Sequence, residues 1–311
     1  MRYGSGKYTY ELVDNWAKLP AGWSFKDVGG LTVDAQDRIY VFNRSPHPVT
    51  IHDREGNFLG SWGEGYFNRP HGSRFDSQGI LYCTDDSDHI VSRFTREGKL
   101  LGVIGEKGKP SNTGYTPKSN LMDSLRSIKH GGPPFNRPTG VDFDSSGNYY
   151  ISDGYGNARV HKFSPEGKLL FSWGEPGTGP GEFMLPHNVW VDKFDRVWIP
   201  DRENNRIQIF DTSGKLLQIW YDLVRPTDVF IDKNDIVYIS EIRPGVSIFT
   251  LEGKLLARWC NEEKDPATDL FISCHAITVD SRGDIYVGEV AWTHAKYDKG
   301  AKTVQKFARV K

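Results

Sequence analysis

The chain has 311 residues, with 39 Lys+Arg against 40 Asp+Glu and a formal net charge of -1. That balance leaves no basic field for nucleic acid or an anionic membrane surface, so neither is an expected partner. Hydrophobic residues at 37% and aromatics at 13% support a packed core, while 33 Gly and 17 Pro call for many turns and argue against disorder or long helices.

The N-terminal MRYGSGKYTYELVDNW has no apolar signal-like region, and no stretch approaches the length of a membrane-spanning helix. The expectation is an unexported, cytoplasmic protein. Three cysteines, Cys83, Cys260 and Cys274, are too few for a disulfide framework, although Cys260 and Cys274 could pair.

From Gly29 onward one pattern returns six times: alternating apolar residues, an Asp, a turn, and an aromatic-rich strand ending near an acid. It reads GGLTVDAQDRIYVFNR from Gly29, PHGSRFDSQGILYCTDD from Pro70 and PTGVDFDSSGNYYISDGY from Pro138. It continues as PHNVWVDKFDRVWIPDRE from Pro186, PTDVFIDKNDIVYISEI from Pro226 and CHAITVDSRGDIYVGEV from Cys274. Most copies run on into a second hairpin such as HKFSPEGKLLFSWG, giving four short strands per unit. The anchoring Asp34, Asp76, Asp144, Asp192, Asp232 and Asp280 recur 42, 68, 48, 40 and 48 residues apart. Four strands in forty-odd residues is a β-propeller blade, so the spacing predicts an all-β, six-bladed propeller filling residues 1–311 as one domain. The last copy is one strand short, and the N-terminal YTYELVDNW is expected to complete it and close the ring.

Two insertions interrupt the repeat. The longer, roughly Glu106 to Asn136, is rich in Gly, Pro, Lys and Ser, and SNLMDSLRSIKHG within it predicts a short helix. The shorter is EPGTGPGEFML, residues 175–185. Each joins an outermost strand to the next innermost strand, so both emerge on the face where the innermost strands begin. A loop as long as the first is commonly functional, and a lid over a site is the expectation.

The residue five before each anchor opens the innermost strand: Gly29, His71, Thr139, His187, Thr227 and His275. Histidine occupies alternate blades, about 120° apart in a six-fold ring, so His71, His187 and His275 are expected to converge as a tripod. With nine histidines in the chain, such an alternation is a rare coincidence. Three imidazoles with an open fourth position suit catalytic zinc, although they also accept iron, manganese or cobalt.

Nine residues past each anchor lie Asn43, Asp85, Asp153, Asp201, Glu241 and Glu289, a column that reads as capping of turn amides. The next positions, including Arg44, Gly154 (followed by Tyr155) and Arg202, vary and are expected to rim the histidine mouth. His47 and His130 are further residues that the loops bring toward this mouth. His52, His89, His161 and His294 read as ordinary strand or surface residues.

RPHG at Arg69–Gly72, SDGYGNARV at Ser152–Val160, PHN at Pro186–Asn188 and DRENNRIQIF at Asp201–Phe210 resemble the peptidyl-α-hydroxyglycine α-amidating lyase domain, a six-bladed propeller with NHL-like repeats. The resemblance covers nearly the whole chain. It implies zinc on His71, His187 and His275, with Tyr155, Arg44 and Arg202 as catalytic residues. The implied reaction cleaves a carbinolamide C–N bond: zinc binds the substrate hydroxyl, and Tyr155, supported by Arg44, takes its proton. Departures are visible. The family's structural calcium takes a carboxylate from the residue after the third histidine; here that residue is Ala276, leaving only the backbone positions of Leu31 and Ser73, which argues against calcium. Gly156 stands where animal members carry a cysteine, and SPHPV follows Arg44 in place of the family's Asp- and Trp-containing run. Neither a secretory signal nor a copper monooxygenase domain accompanies the repeat, so the expectation is a smaller hydroxy substrate and not a peptide hormone. Two other functions fit the same residues: a metal-dependent hydrolase or hydratase on the tripod, and a non-catalytic NHL interaction module.

Overall fold

The computed structural model describes residues 1–242, 245–260 and 270–310. These residues form six antiparallel sheets, five of four strands and one of five, in the arrangement of a six-bladed β-propeller. The chain falls into two compact units, Met1–Pro70 with Thr227–Lys311, and His71–Pro226, each carrying three blades. Among the described residues no helix is long and apolar enough to cross a membrane.

The repeated aspartate explains why the same hairpin forms six times. Asp34 Oδ1 accepts the backbone N–H groups of Gln36 and Arg38, at 2.9 Å each. The equivalent pair recurs at Asp76, Asp144, Asp192, Asp232 and Asp280. One carboxylate thereby satisfies two donors in a turn too tight to bond them otherwise. The residue three past each anchor is left-handed, with φ between 58° and 85°, and it is always Asp or Gly: Asp37, Gly79, Gly147, Asp195, Asp235 and Gly283. Those residue types tolerate that conformation best. The second hairpin follows the same logic with Asp53, Thr95, Ser164, Asp211 and Thr250 as acceptors.

The N-terminal segment completes the last blade as expected: Tyr8–Val13 pairs with Val304–Arg309, with Tyr10 opposite Arg309. A fifth strand, Arg2–Ser5, which the repeat does not predict, folds back on Tyr8–Val13 through Gly6 at φ +53°. The inserted segment contains the short helix, Leu121–Leu125, capped by Asn120, whose side chain accepts the Asp123 N–H at 2.9 Å. The acidic column is buried and caps amides. Asp201 Oδ1 accepts from Met184 N and Leu185 N, Glu289 Oε2 from Ile272 N and Ser273 N, and Asp85 from Ser87 N and Asp88 N. Burial pushes the Asp201 carboxyl up, against the pull of Asn204 and Arg206. Blades pack through aromatic and aliphatic clusters, for instance Tyr150, Val160, Phe183, Val197 and Phe210. Cys274 is buried, while the side chain of its sequence-suggested partner, Cys260, lies outside the described residues.

The anchor's contribution is measurable. Asp144 also accepts from the Asn148 side-chain amide and, at 3.0 Å, from the Tyr150 hydroxyl, so Asp144→Ala removes the acceptor shared by Ser146, Asn148 and Tyr150. Urea unfolding is expected to show a loss of about 3 kcal/mol at unchanged m-value. A loss below about 0.5 kcal/mol would mean that the turn forms without its carboxylate.

Candidate metal centre

The innermost strands bulge where the alternating column sits. Pairing slips between Val28 and Gly30, between Pro138 and Gly140, and between Cys274 and Ala276, so Gly29, Thr139 and His275 are the extra residues. A bulge re-aims its side chain away from the ladder, which frees this position to carry chemistry.

His71, His187 and His275 are almost fully buried, at 1%, 1% and 3% exposure. His71 Nδ1 donates to the Thr139 carbonyl at 2.7 Å, and His275 Nδ1 donates to the Gly29 carbonyl at 3.1 Å. In both cases the acceptor is the column residue of the following blade. A carbonyl cannot donate, so the proton is on Nδ1 and the lone pair on Nε2. Backbone carbonyls commonly orient metal-binding imidazoles in this way. His71, His187 and His275 form a group that could hold a metal ion. The donor set, three buried imidazoles with at least two tautomers fixed by backbone, fits a divalent transition metal.

Around His71 and His187 the chain brings together one tyrosine and one arginine. The Tyr155 hydroxyl lies 3.4 Å from His71 Nε2 and 3.1 Å from His187 Nε2. Arg202 Nη1 donates to that hydroxyl at 3.2 Å. Arg202 is itself 2% exposed, and its Nε donates to Glu203 at 2.8 Å, which supplies the partner a buried guanidinium needs. Burial would raise the Glu203 carboxyl, but Arg202 and Arg225 together hold it below the usual range. Arg44 lies in the other unit. Its Nε donates to the Pro70 carbonyl at 3.1 Å, and its Nη1 lies 3.5 Å from Asp27 and 3.4 Å from Thr293. The guanidinium of Arg202 donates to Tyr155.

The inserted segment covers the tyrosine. Leu125 and Ile128 pack with Tyr155 and Leu185, and Tyr115, Leu121, Met122 and Met184 pack around them. Arg137, which no motif singled out, stands with its guanidinium carbon 5.1 Å from the Tyr155 ring centre. Of the two further histidines suggested for the mouth, His47 stacks on Trp23 and contacts Glu64 at 3.2 Å, while His130 is exposed and its Nδ1 contacts the Gly131 carbonyl. Ala276 is buried in an apolar cluster with Val28 and Leu31.

The comparisons agree with this architecture. The family model described as a 6-bladed beta-propeller, DUF5128, matches residues 137–241. NHL repeat-containing protein 3 of Homo sapiens is 43% identical over 89 residues, covering 28% of this chain and 26% of that protein. Peptidyl-alpha-hydroxyglycine alpha-amidating lyase 1 of Drosophila melanogaster is 32% identical over 119 residues, covering 35% of this chain and 20% of that protein. The matched part therefore spans about a quarter of the first relative and a fifth of the second. A gluconolactonase structure from Xanthomonas campestris superposes with a TM-score of 0.65 at 12% identity, over 99% of this chain and 94% of that one, a likeness of fold alone. The chain is a six-bladed β-propeller, similar over part of its length to an NHL repeat-containing protein. Within that class it is similar to the amidating lyases.

Gly154 sets the spacing between Tyr155 and His187. A Cβ at Gly154 would lie 2.2 Å from the Pro186 carbonyl oxygen, next to His187, so the two backbones approach only because this residue has no side chain. Gly154→Ala is expected to lower unfolding free energy by about 2 kcal/mol. Denaturation that matches the parent within about 0.3 kcal/mol would contradict the close-approach argument.

Proposed function

We propose that this chain is a metal-dependent lyase that cleaves the C–N bond of a small α-hydroxy-amide. The observation that carries the reading is the Tyr155 hydroxyl, held within hydrogen-bond reach of two tripod imidazoles and of Arg202. The similarity to the amidating lyases supports the same chemistry.

A divalent metal, zinc first among the candidates, would be held by His71, His187 and His275 and would supply Lewis acidity toward the substrate hydroxyl. Tyr155 is placed to take the hydroxyl proton on its oxygen. As the O–H bond breaks, its electron pair forms the carbonyl C=O. The C–N bond breaks in turn, and its pair remains on nitrogen, which is protonated to leave as the amide. Atoms balance without added water: one hydroxy-amide gives one aldehyde or keto compound and one amide. Tyr155 then returns the proton it took, which makes it base and acid in one turnover. Arg202, fixed by Glu203, orients the Tyr155 oxygen and offsets the charge that develops on it. Arg44 is proposed to act from the rim, held by Asp27, where its guanidinium suits a substrate carboxylate. The apolar roof of Leu121, Met122, Leu125 and Ile128 excludes water, which favours elimination over hydrolysis.

The test separates metal from chemistry. Zinc-loaded protein is expected to carry about one metal per chain and to convert N-acyl-α-hydroxyglycines to amide and glyoxylate. His187→Ala is expected to lose both metal and turnover with its β-sheet circular dichroism unchanged. Tyr155→Phe is expected to keep the metal and lose about 10²- to 10⁴-fold in kcat/KM. Turnover in metal-free protein, or full activity in Tyr155→Phe, would overturn the reading.

A further inference from the structure

The inserted segment lines an open cavity of about 520 Å³, whose wall includes Arg137, Tyr115, His89, Ser111, Asn112 and Asn136. This volume is within the range of small-molecule sites. The cavity adjoins the proposed catalytic tyrosine. Arg137 stacks over the Tyr155 ring at 5.1 Å, and Tyr115 packs on the cluster that holds Tyr155.

Arg137 is held in place at a cost. Its φ is +73°, a left-handed conformation that a non-glycine residue keeps only when its surroundings impose it. Three bonds do so: its N–H donates to His89 Nδ1 at 3.1 Å, Nη1 to the Tyr115 hydroxyl at 3.0 Å, and Nη2 to Asp86 at 3.0 Å. The Asp86 side chain is fully buried, whereas the Arg137 side chain keeps 22% exposure. Two of the five guanidinium N–H groups are thereby used, and the other three have no acceptor among the described residues.

The neighbours are donors too. His89 accepts on Nδ1, so its proton is on Nε2, and burial holds its pKa below the usual range and keeps it neutral. Tyr115 accepts from Arg137 and keeps its own hydroxyl hydrogen for another partner. Asp86 balances the Arg137 charge, so recognition here depends on directed hydrogen bonds more than on a net field. The donors grouped around Arg137 are best met by an acceptor-only group, and a carboxylate is the one that takes a guanidinium fork.

We infer that this cavity binds a carboxylate on the acyl part of the substrate, distinct from any carboxylate at the carbon that reacts. The lyase reading supplies the other end of the ligand, and the cavity supplies this one. The expected substrates are hydroxy-amides whose acyl chain ends in an acid.

Two probes differing only at that end decide the matter: N-succinyl- and N-butanoyl-α-hydroxyglycine, with zinc-loaded full-length protein. The parent is expected to favour the succinyl compound by roughly ten- to a hundredfold in kcat/KM. Arg137→Gln is expected to bring the ratio near one, and Arg137→Lys to keep part of it. The ratio is read within each variant, so a general loss of activity from disturbed packing at Tyr155 does not enter it. Calorimetry with the two product amides, succinamate and butyramide, reads the same preference without turnover. Cleavage of both probes at equal rates, or a preference that survives Arg137→Gln, overturns the inference and leaves the lyase reading standing. Cleavage of neither probe overturns the lyase reading, and the calorimetric preference for succinamate, present or absent, then decides the cavity by itself.

Discussion

The bond from an imidazole Nδ1–H to the backbone carbonyl of the next blade is the contact on which the site depends. At His71 it reaches Thr139, and at His275 it reaches Gly29. It performs two tasks: it gives a buried carbonyl its donor, and it leaves Nε2 as the basic nitrogen of an oriented ring. In two of the other blades a threonine in the column reaches a neighbouring backbone carbonyl instead. Thr139 Oγ1 reaches the Pro186 carbonyl at 2.9 Å, and Thr227 Oγ1 reaches the Cys274 carbonyl at 3.4 Å. Threonine and histidine are thus alternative ways to close a blade boundary, and the alternation leaves three rings with a nitrogen to offer.

Tyr155 and Arg202 build on that frame. The tyrosine follows a glycine that lets its strand end touch Pro186, and so it lands between the rings of His71 and His187. Arg202 arrives from the following blade with its charge already paired to Glu203, which pairs in turn with Arg225 at 2.7 Å. A buried guanidinium without such a partner would be strongly destabilising. The polar chain Tyr155–Arg202–Glu203–Arg225 therefore serves the fold and the site together.

Much of this was legible in the sequence because it repeats. Six anchor aspartates report six copies of one turn, and a column read across copies exposes the residues that differ. The histidine alternation and the amide-capping acids both emerged that way. What did not repeat was harder to read. Arg2–Ser5 has no counterpart in other blades and so carried no signal. Arg137 reaches the tyrosine through a left-handed backbone and a ring stack, neither of which leaves a motif. Its partner Tyr115 belongs to an insertion present once. Spacing could set Arg44 and Arg202 at equivalent strand ends, but only packing shows that the Arg202 guanidinium meets the phenol.

The account rests on the three imidazoles acting as one metal-binding set. X-ray absorption at the zinc edge, on protein loaded with one equivalent, tests this most directly. The account predicts three imidazole nitrogens at about 2.0–2.1 Å with one further light ligand. A shell with fewer than three imidazoles, or one made up by carboxylate or thiolate ligands, would contradict it.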